Sequence, residues 1–217
     1  MPKNQRSVLR QQAEWKDLWF YRKAESLYHL SVAFTRRFLP KYGDRTVDQM
    51  VQAARSGKQN IVEGSSDGVA SSELEIRLLN VARSSIQELR EDFLDYLRSH
   101  RLALWDERHS RFKGMMEFCR KNNDLSRYEP YFDTWSDEEM ANVGYTLCRM
   151  TDKMMTTYLQ KLDAKFVSEG GIRERMTAAR IGYRNDLRRQ LEDASHEIAS
   201  LKAEIQRLKA IISTKES

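Results

Sequence analysis

From Ser72 to Leu97 the small and apolar residues Leu78, Ala82, Ser85, Leu89, Phe93 and Tyr96 fall every three or four positions. That is the period of one helix face. A stripe of this length, free of proline, predicts a long amphipathic helix whose apolar side is covered by other helices. The preceding stretch, Met50-Val51-Gln52-Ala53-Ala54-Arg55 and Asn60-Ile61-Val62-Glu63-Gly64, has a compatible period, and the two form a helical hairpin on which the rest is expected to pack. Ser72 and Glu75 make an S-x-x-E capping box, and the Gly64 to Gly68 loop is expected to end the helix before it.

The remaining chain repeats this pattern. A first helix is expected from near Trp15 to Leu39, with Leu18, Tyr21, Tyr28, Val32 and Phe38 at apolar positions and Pro40 as its stop. Thr46 with Gln49 reads as a second capping box, opening the helix that runs through Val47, Met50, Ala54 and Ile61. Gly57 inside it costs roughly 1 kcal/mol relative to Ala, which predicts a close helix contact there. Residues 101–135 are the least regular, with a short helix expected around Asp106 to Lys121 and a polar loop at Asn122-Asn123-Asp124 that ends near Pro130. Ser136-Asp137-Glu138-Glu139 opens a last long helix through Val143, Leu147, Met150, Met154, Tyr158, Leu162 and Phe166, stopped at Gly170-Gly171. Four long amphipathic helices predict an all-α fold, an antiparallel up-and-down four-helix bundle over residues 1–169.

Residues 170–217 are expected to form a basic linker and a coiled-coil tail. Leu187, Leu191, Ala194, Ile198, Leu201, Ile205, Leu208 and Ile212 are separated alternately by four and three residues. With Ile198, Ile205 and Ile212 at a and Leu187, Leu201 and Leu208 at d, this heptad favours a parallel two-stranded coil. Glu197 and Glu204 then stand at g and Lys202 and Lys209 at the following e positions. Two parallel chains would pair them across the seam for about 0.2–1 kcal/mol each. An alternative is that the stripe docks on the chain's own bundle.

Residues able to carry out catalysis or hold a metal do not gather in the sequence. His29, His100, His109 and His196 lack ligand spacing, Cys119 and Cys148 stand far apart as ordinary thiols, and no nucleophile or phosphate-loop motif is present. Glu63 and Glu88, with Asn60 and Ser85, are expected to meet as an interhelical hydrogen-bond network. Neither an enzyme nor a cofactor is expected. No apolar run is long enough to span a bilayer and Met1 to Arg6 lacks a signal-peptide core, so a cytoplasmic protein without a membrane partner is expected.

Charge points elsewhere. Residues 1–60 hold 12 Lys or Arg against 5 Asp or Glu, residues 61–169 hold 15 against 20, and residues 170–217 hold 10 against 7. Both ends are basic and the middle is acidic. Arg22, Lys23, Arg36, Arg37 and Lys41 give the first helix a basic outer face, with Trp15, Trp19 and Tyr42 among them. Arg55 and Lys58 follow on the second helix. In the tail Arg173, Arg175, Arg180, Arg184, Arg188 and Arg189 precede the heptads, with Tyr183 among them. Such stretches attract phosphate backbones of RNA or DNA through counterion release. A basic stretch leading into a zipper also fits a forked recognition helix, but Gly182 is expected to interrupt it.

The hairpin resembles the four-helix-bundle family associated with 23S ribosomal RNA intervening sequences. The family's Asn-Ile-Ala-Glu-Gly pattern stands here as Asn60-Ile61-Val62-Glu63-Gly64, and Leu78-Leu79-Asn80-Val81-Ala82-Arg83-Ser84-Ser85 with Glu88-Leu89 matches its following helix. Ser56-Gly57-Lys58-Gln59 stands where the family often carries a proline. The family includes the accessory variability protein of diversity-generating retroelements, and Glu169-Gly170-Gly171-Ile172-Arg173-Glu174-Arg175-Met176 is similar to a suffix found on some members. The resemblance implies a non-enzymatic accessory factor that presents template RNA to a reverse transcriptase, and a pentameric homo-oligomer where the heptads imply a dimer. On that reading Arg36, Arg37, Lys41, Arg55 and Lys58, chosen by charge, would hold phosphates. The alternative is a structural adaptor that oligomerises through bundle and coiled coil without binding nucleic acid.

Overall fold

A computed structural model describes residues 15–40, 45–67 and 71–215 of the chain. Among the described residues every regular element is helical: α1 (Trp19–Phe38), α2 (Arg45–Asp67), α3 (Ser72–Ser99), α4 (Phe112–Lys121), α5 (Asp137–Glu169) and α6 (Ile172–Lys215). Single 3-10 turns stand at Trp15–Asp17, Leu125–Arg127 and Glu129–Tyr131. The chain divides into two units, one holding α1 to α5 within residues 9–171 and the other holding α6.

Helix ends follow local chemistry, with four departures from the sequence reading. The box at α5 forms as expected: the Glu139 amide donates to Ser136 Oγ at 3.2 Å and the Ser136 amide donates to Glu139 Oε2 at 2.9 Å. At α3 the cap is Ser71 rather than Ser72, its Oγ accepting from the Leu74 amide at 3.2 Å. The shift turns Glu75 inward, where it accepts from Tyr158 Oη at 3.1 Å, so it is a core hydrogen-bond partner and not a capping residue. α2 already begins at Arg45, so Thr46 lies in its first turn rather than just before it. Gly64 does not end α2 either. The helix runs on to Asp67, and an added Cβ on Gly64 would stand 3.2 Å from Leu78 Cβ, so this glycine admits α3 instead. The short helix α4 begins at Phe112, six residues later than Asp106. Pro40 acts as expected, since Leu39 before it is extended.

Four helices of the first unit pack in a cycle, α1 on α2, α2 on α3, α3 on α5 and α5 on α1. Their shared interior holds Leu27, Leu30, Phe34, Ile86, Leu89 and Phe93, all at or below 1% exposure. Each contributes roughly 1.5–3 kcal/mol on burial. Phe34 meets Phe93 and Tyr96 edge-on at 5.3 and 4.7 Å between ring centres. The α1 stripe therefore runs through Leu27, Leu30 and Phe34, and Val32 is exposed, contrary to its expected core position. Gly57 makes the expected close contact, an added Cβ falling 2.9 Å from Ile86. Arg83 and Gln87 are paired between α3 and α5: Arg83 Nε and Gln87 Nε2 both donate to Asp152 Oδ1 at 2.9 Å.

In the second unit α6 is one unbroken helix. No linker separates the arginines from the heptads, and Gly182 does not interrupt it, contrary to both expectations. Ile198, Leu201, Ile205, Leu208 and Ile212 each stay 49–57% exposed.

Gly144 and Gly182 predict opposite outcomes in urea unfolding and circular dichroism. A Cβ on Gly144 would meet the fully buried Phe93 ring at 2.5–2.8 Å, so Gly144→Ala should destabilise the first unit by about 1–3 kcal/mol. At Gly182 nothing lies within 4 Å, and Gly182→Ala should raise α6 stability by about 1 kcal/mol.

Candidate nucleic-acid interface

The basic face of α1 is largely turned to internal use. Lys23 falls three residues after Phe20 and four before Leu27, on the apolar side of the helix, and is 3% exposed. Its Nζ donates to the carbonyls of Cys119 and, at 2.8 Å, of Asn122. Ser26 Oγ, one turn on, donates to the Asn123 carbonyl at 2.9 Å. Arg22 donates to the Lys16 carbonyl through Nε and pairs with Asp124 at 3.3 Å through Nη1. Arg37 donates to the Phe132 carbonyl and lies 4.5 Å over the Phe38 ring. These cations pin the segment that joins α4 to α5 against α1. Lys23 is thereby corrected from a phosphate contact to a buried anchor, and Arg22 and Arg37 are directed mainly to the same task.

Fewer cations remain free to face a polyanion. Arg36 is exposed and, among the described residues, pairs at 3.8 Å with a solvent-facing Asp133. Arg55 is exposed on α2 without an ion pair among the described residues. Lys58 is half-buried with Nζ 4.5 Å over the Tyr28 ring. Lys41 lies outside the described residues. On α6 Arg173, Arg180, Arg184, Arg188 and Arg189 are exposed, whereas Arg175 is half-buried. The structure thus separates the proposed cations into a small set on the first unit and a larger one along a single helix.

The expected carboxylate network between α2 and α3 takes another form. Ser56 and Ser85 hydroxyls stand 2.9 Å apart and Asn60 Nδ2 reaches Ser56 Oγ at 3.2 Å, while Glu63 and Glu88 are exposed. Serine and asparagine fit the narrow helix contact beside Gly57, and the larger carboxylates remain outside. Farther along the same contact an open groove is lined by Asp48, Glu88 and Asp92. Burial, and then the carboxylates of Asp95 and Glu88, push the Asp92 pKa up to about 6. This face would repel phosphate.

Both cysteines are free and buried, and burial pushes the Cys119 thiol up to about 12, so neither is a ready nucleophile at neutral pH. Among the described residues no three His, Cys, Asp or Glu side chains converge to hold a metal. No described helix is long and apolar enough to cross a membrane. The anchoring role of Lys23 was legible in its spacing with Phe20 and Leu27; its carbonyl partners, almost a hundred residues away, were not. No protein-family model, curated protein or solved structure matches this chain.

Two titrations test this allocation of charge. Burial lowers the Lys23 pKa from 10.5 to about 8, against the opposing pull of Cys119 and Asp124. The folded chain releases this proton before the unfolded chain does, so stability should rise between pH 8 and 10.5. Urea midpoints followed across that window should show the rise in the parent and lose it in Lys23→Met. Asp92 works in the opposite direction: its raised pKa gives stability below pH 3.8 that is lost as pH climbs through 6. Asp92→Asn should therefore be more stable than the parent at pH 7 by about 1 kcal/mol, the open groove screening part of the shift, with the gain gone by about pH 4.

Proposed function

We propose that this chain is a non-enzymatic, RNA-binding accessory protein that works with the reverse transcriptase of a diversity-generating retroelement, presenting template RNA by electrostatic scaffolding. The fold that goes with this reading is an antiparallel up-and-down four-helix bundle followed by a coiled-coil helix. Contacts between neighbouring helices support it. Gly57 faces Ile86 and Gly64 faces Leu78 across α2 and α3, while Arg83 meets Asp152 and Tyr96 meets Asp137 across α3 and α5. In each pair one residue number rises as the other falls, as antiparallel neighbours require.

The observation that carries the functional reading is α6. Six exposed arginines and an exposed Ile/Leu heptad share one continuous helix. Joining two copies through the heptad would double the arginines offered to a phosphate backbone, and affinity by counterion release grows with the number of phosphates met. Arg36 and Arg55 on the bundle are the supporting contacts. The resemblance at Asn60 to Gly64 and Leu78 to Leu89 supplies the choice of RNA and of reverse transcriptase as partners. A structural adaptor is the second reading, favoured by the same exposed Ile/Leu stripe, which needs no nucleic acid to find a partner.

Fluorescence anisotropy with a single-stranded RNA between about 50 and 200 mM salt separates the two readings. An RNA-binding protein should lose affinity with a log–log slope of about −0.7 for each phosphate neutralised, and Arg180→Glu with Arg184→Glu should weaken binding about tenfold or more and flatten that slope. Sedimentation of Ile205→Lys should show loss of tail self-association. A chain that still self-associates yet binds no RNA at the lowest salt is the adaptor.

A further inference from the structure

Between α4, the 3-10 turn Glu129–Tyr131 and the start of α5 lies an open pocket of about 370 Å³, lined by Trp105, Met115, Phe118, Tyr131, Trp135 and Val143. This volume falls within the range of small-ligand pockets. Its walls are fixed. Trp105 is 7% exposed, its Nε1 donating to Glu138 Oε1 and its amide to Asn142 Oδ1, each at 2.7 Å, while His109 stacks on its ring at 4.8 Å. Tyr131 and Trp135 lie in nearly parallel planes 5.1 Å apart, and Phe118 stands edge-on to both at 5.8 and 6.1 Å. Tyr131 remains 43% exposed despite this packing.

The rim limits what can enter. The Arg111 guanidinium sits 5.5 Å over the Trp105 ring and reaches Glu139 Oε1 at 2.7 Å through one nitrogen. The other Glu139 oxygen accepts from the Ser136 amide, so that carboxylate is satisfied by its cap and its arginine. Arg111 keeps a largely exposed side chain with donors to spare. A cationic guest would find the Glu139 carboxylate at the mouth already paired. An aliphatic guest would make no use of the aromatic lining or of the arginine. A flat ring carrying an acidic group uses both the walls and the arginine.

We propose that this pocket takes one nucleobase, stacked among the aromatic walls with its phosphate toward Arg111. The choice of guest rests on the nucleic-acid reading above. An unpaired base in a strand and a free nucleotide share this chemistry, and stacking of this kind tolerates any base. The site would add a salt-insensitive contact on the bundle to the salt-sensitive arginines of α6.

Tryptophan emission of the full chain tests this with three probes: an oligoadenylate strand, an abasic strand of equal length and adenosine monophosphate, at salt that suppresses phosphate-only binding. Oligoadenylate should quench and the abasic strand should not. Gly114 lines the pocket and a Cβ there meets nothing within 4 Å, so Gly114→Leu introduces a bulky side chain at the pocket wall from a position with room for its Cβ. It should weaken the quenching interaction about 5- to 150-fold, with no loss of thermal stability. Quenching by the monophosphate as well assigns the site to free nucleotides; quenching by the strand alone assigns it to an unpaired base. Equal quenching by the abasic strand, or no effect of Gly114→Leu, overturns the pocket. Salt-sensitive anisotropy binding that persists in that case leaves the RNA reading standing, whereas quenching by the monophosphate without any strand binding upholds the pocket and sinks that reading.

Discussion

Burial of the α3 stripe against two neighbours is the constraint on which the first unit depends. Leu79, Ala82, Ile86, Leu89 and Phe93 are at or below 1% exposure because α2 covers one flank of the helix and α5 the other. Small residues set how closely the flanks approach: Gly57 and Gly64 admit α3 from one side, and Gly144 admits the Phe93 ring from the other. Protein interiors have little slack, so the position of α3 fixes the depth at which α2 and α5 can lie. The Ser56–Ser85 contact and the pairing of Arg83 and Gln87 with Asp152 complete these flanks with satisfied polar groups.

Charge is divided according to burial rather than along the sequence. The basic first quarter of the chain suggested an outward polyanion surface, yet Lys23, Arg22 and Arg37 bind carbonyls and a carboxylate of residues 119–132. An ammonium taken out of water needs such partners, and backbone carbonyls at the end of α4 supply them. Of the arginines expected to meet phosphate, most of the exposed ones lie on α6 instead. Net charge could not report this difference, because an interior cation and a surface cation count alike.

The exposed Ile/Leu seam of α6 and the aromatic pocket beside α5 differ in kind. Each seam residue, about half exposed, forgoes roughly 1 kcal/mol of burial, which a second helix would recover. The pocket is held open by rings packed on each other and by hydrogen bonds to Trp105, so its shape precedes any guest. On the proposed reading the first is a site of assembly and the second a site of recognition.

The sequence by itself determined the helical class, the stops at Pro40 and Gly170, the capping box at Ser136 and the heptad of α6, because each depends on residues within a few positions of one another. It also carried the closeness at Gly57. Only tertiary structure decided the fate of Lys23, the inward turn of Glu75 toward Tyr158, and the meeting of Trp105 with Trp135 around one pocket. Those outcomes join residues about 30 to 100 positions apart, and periodicity carries no information about which distant groups a helix face will meet. Even a nearby signal gave way where packing was strong: Ser71 caps α3 in place of Ser72, since the register that buries Glu75 and Leu79 leaves the cap one residue earlier.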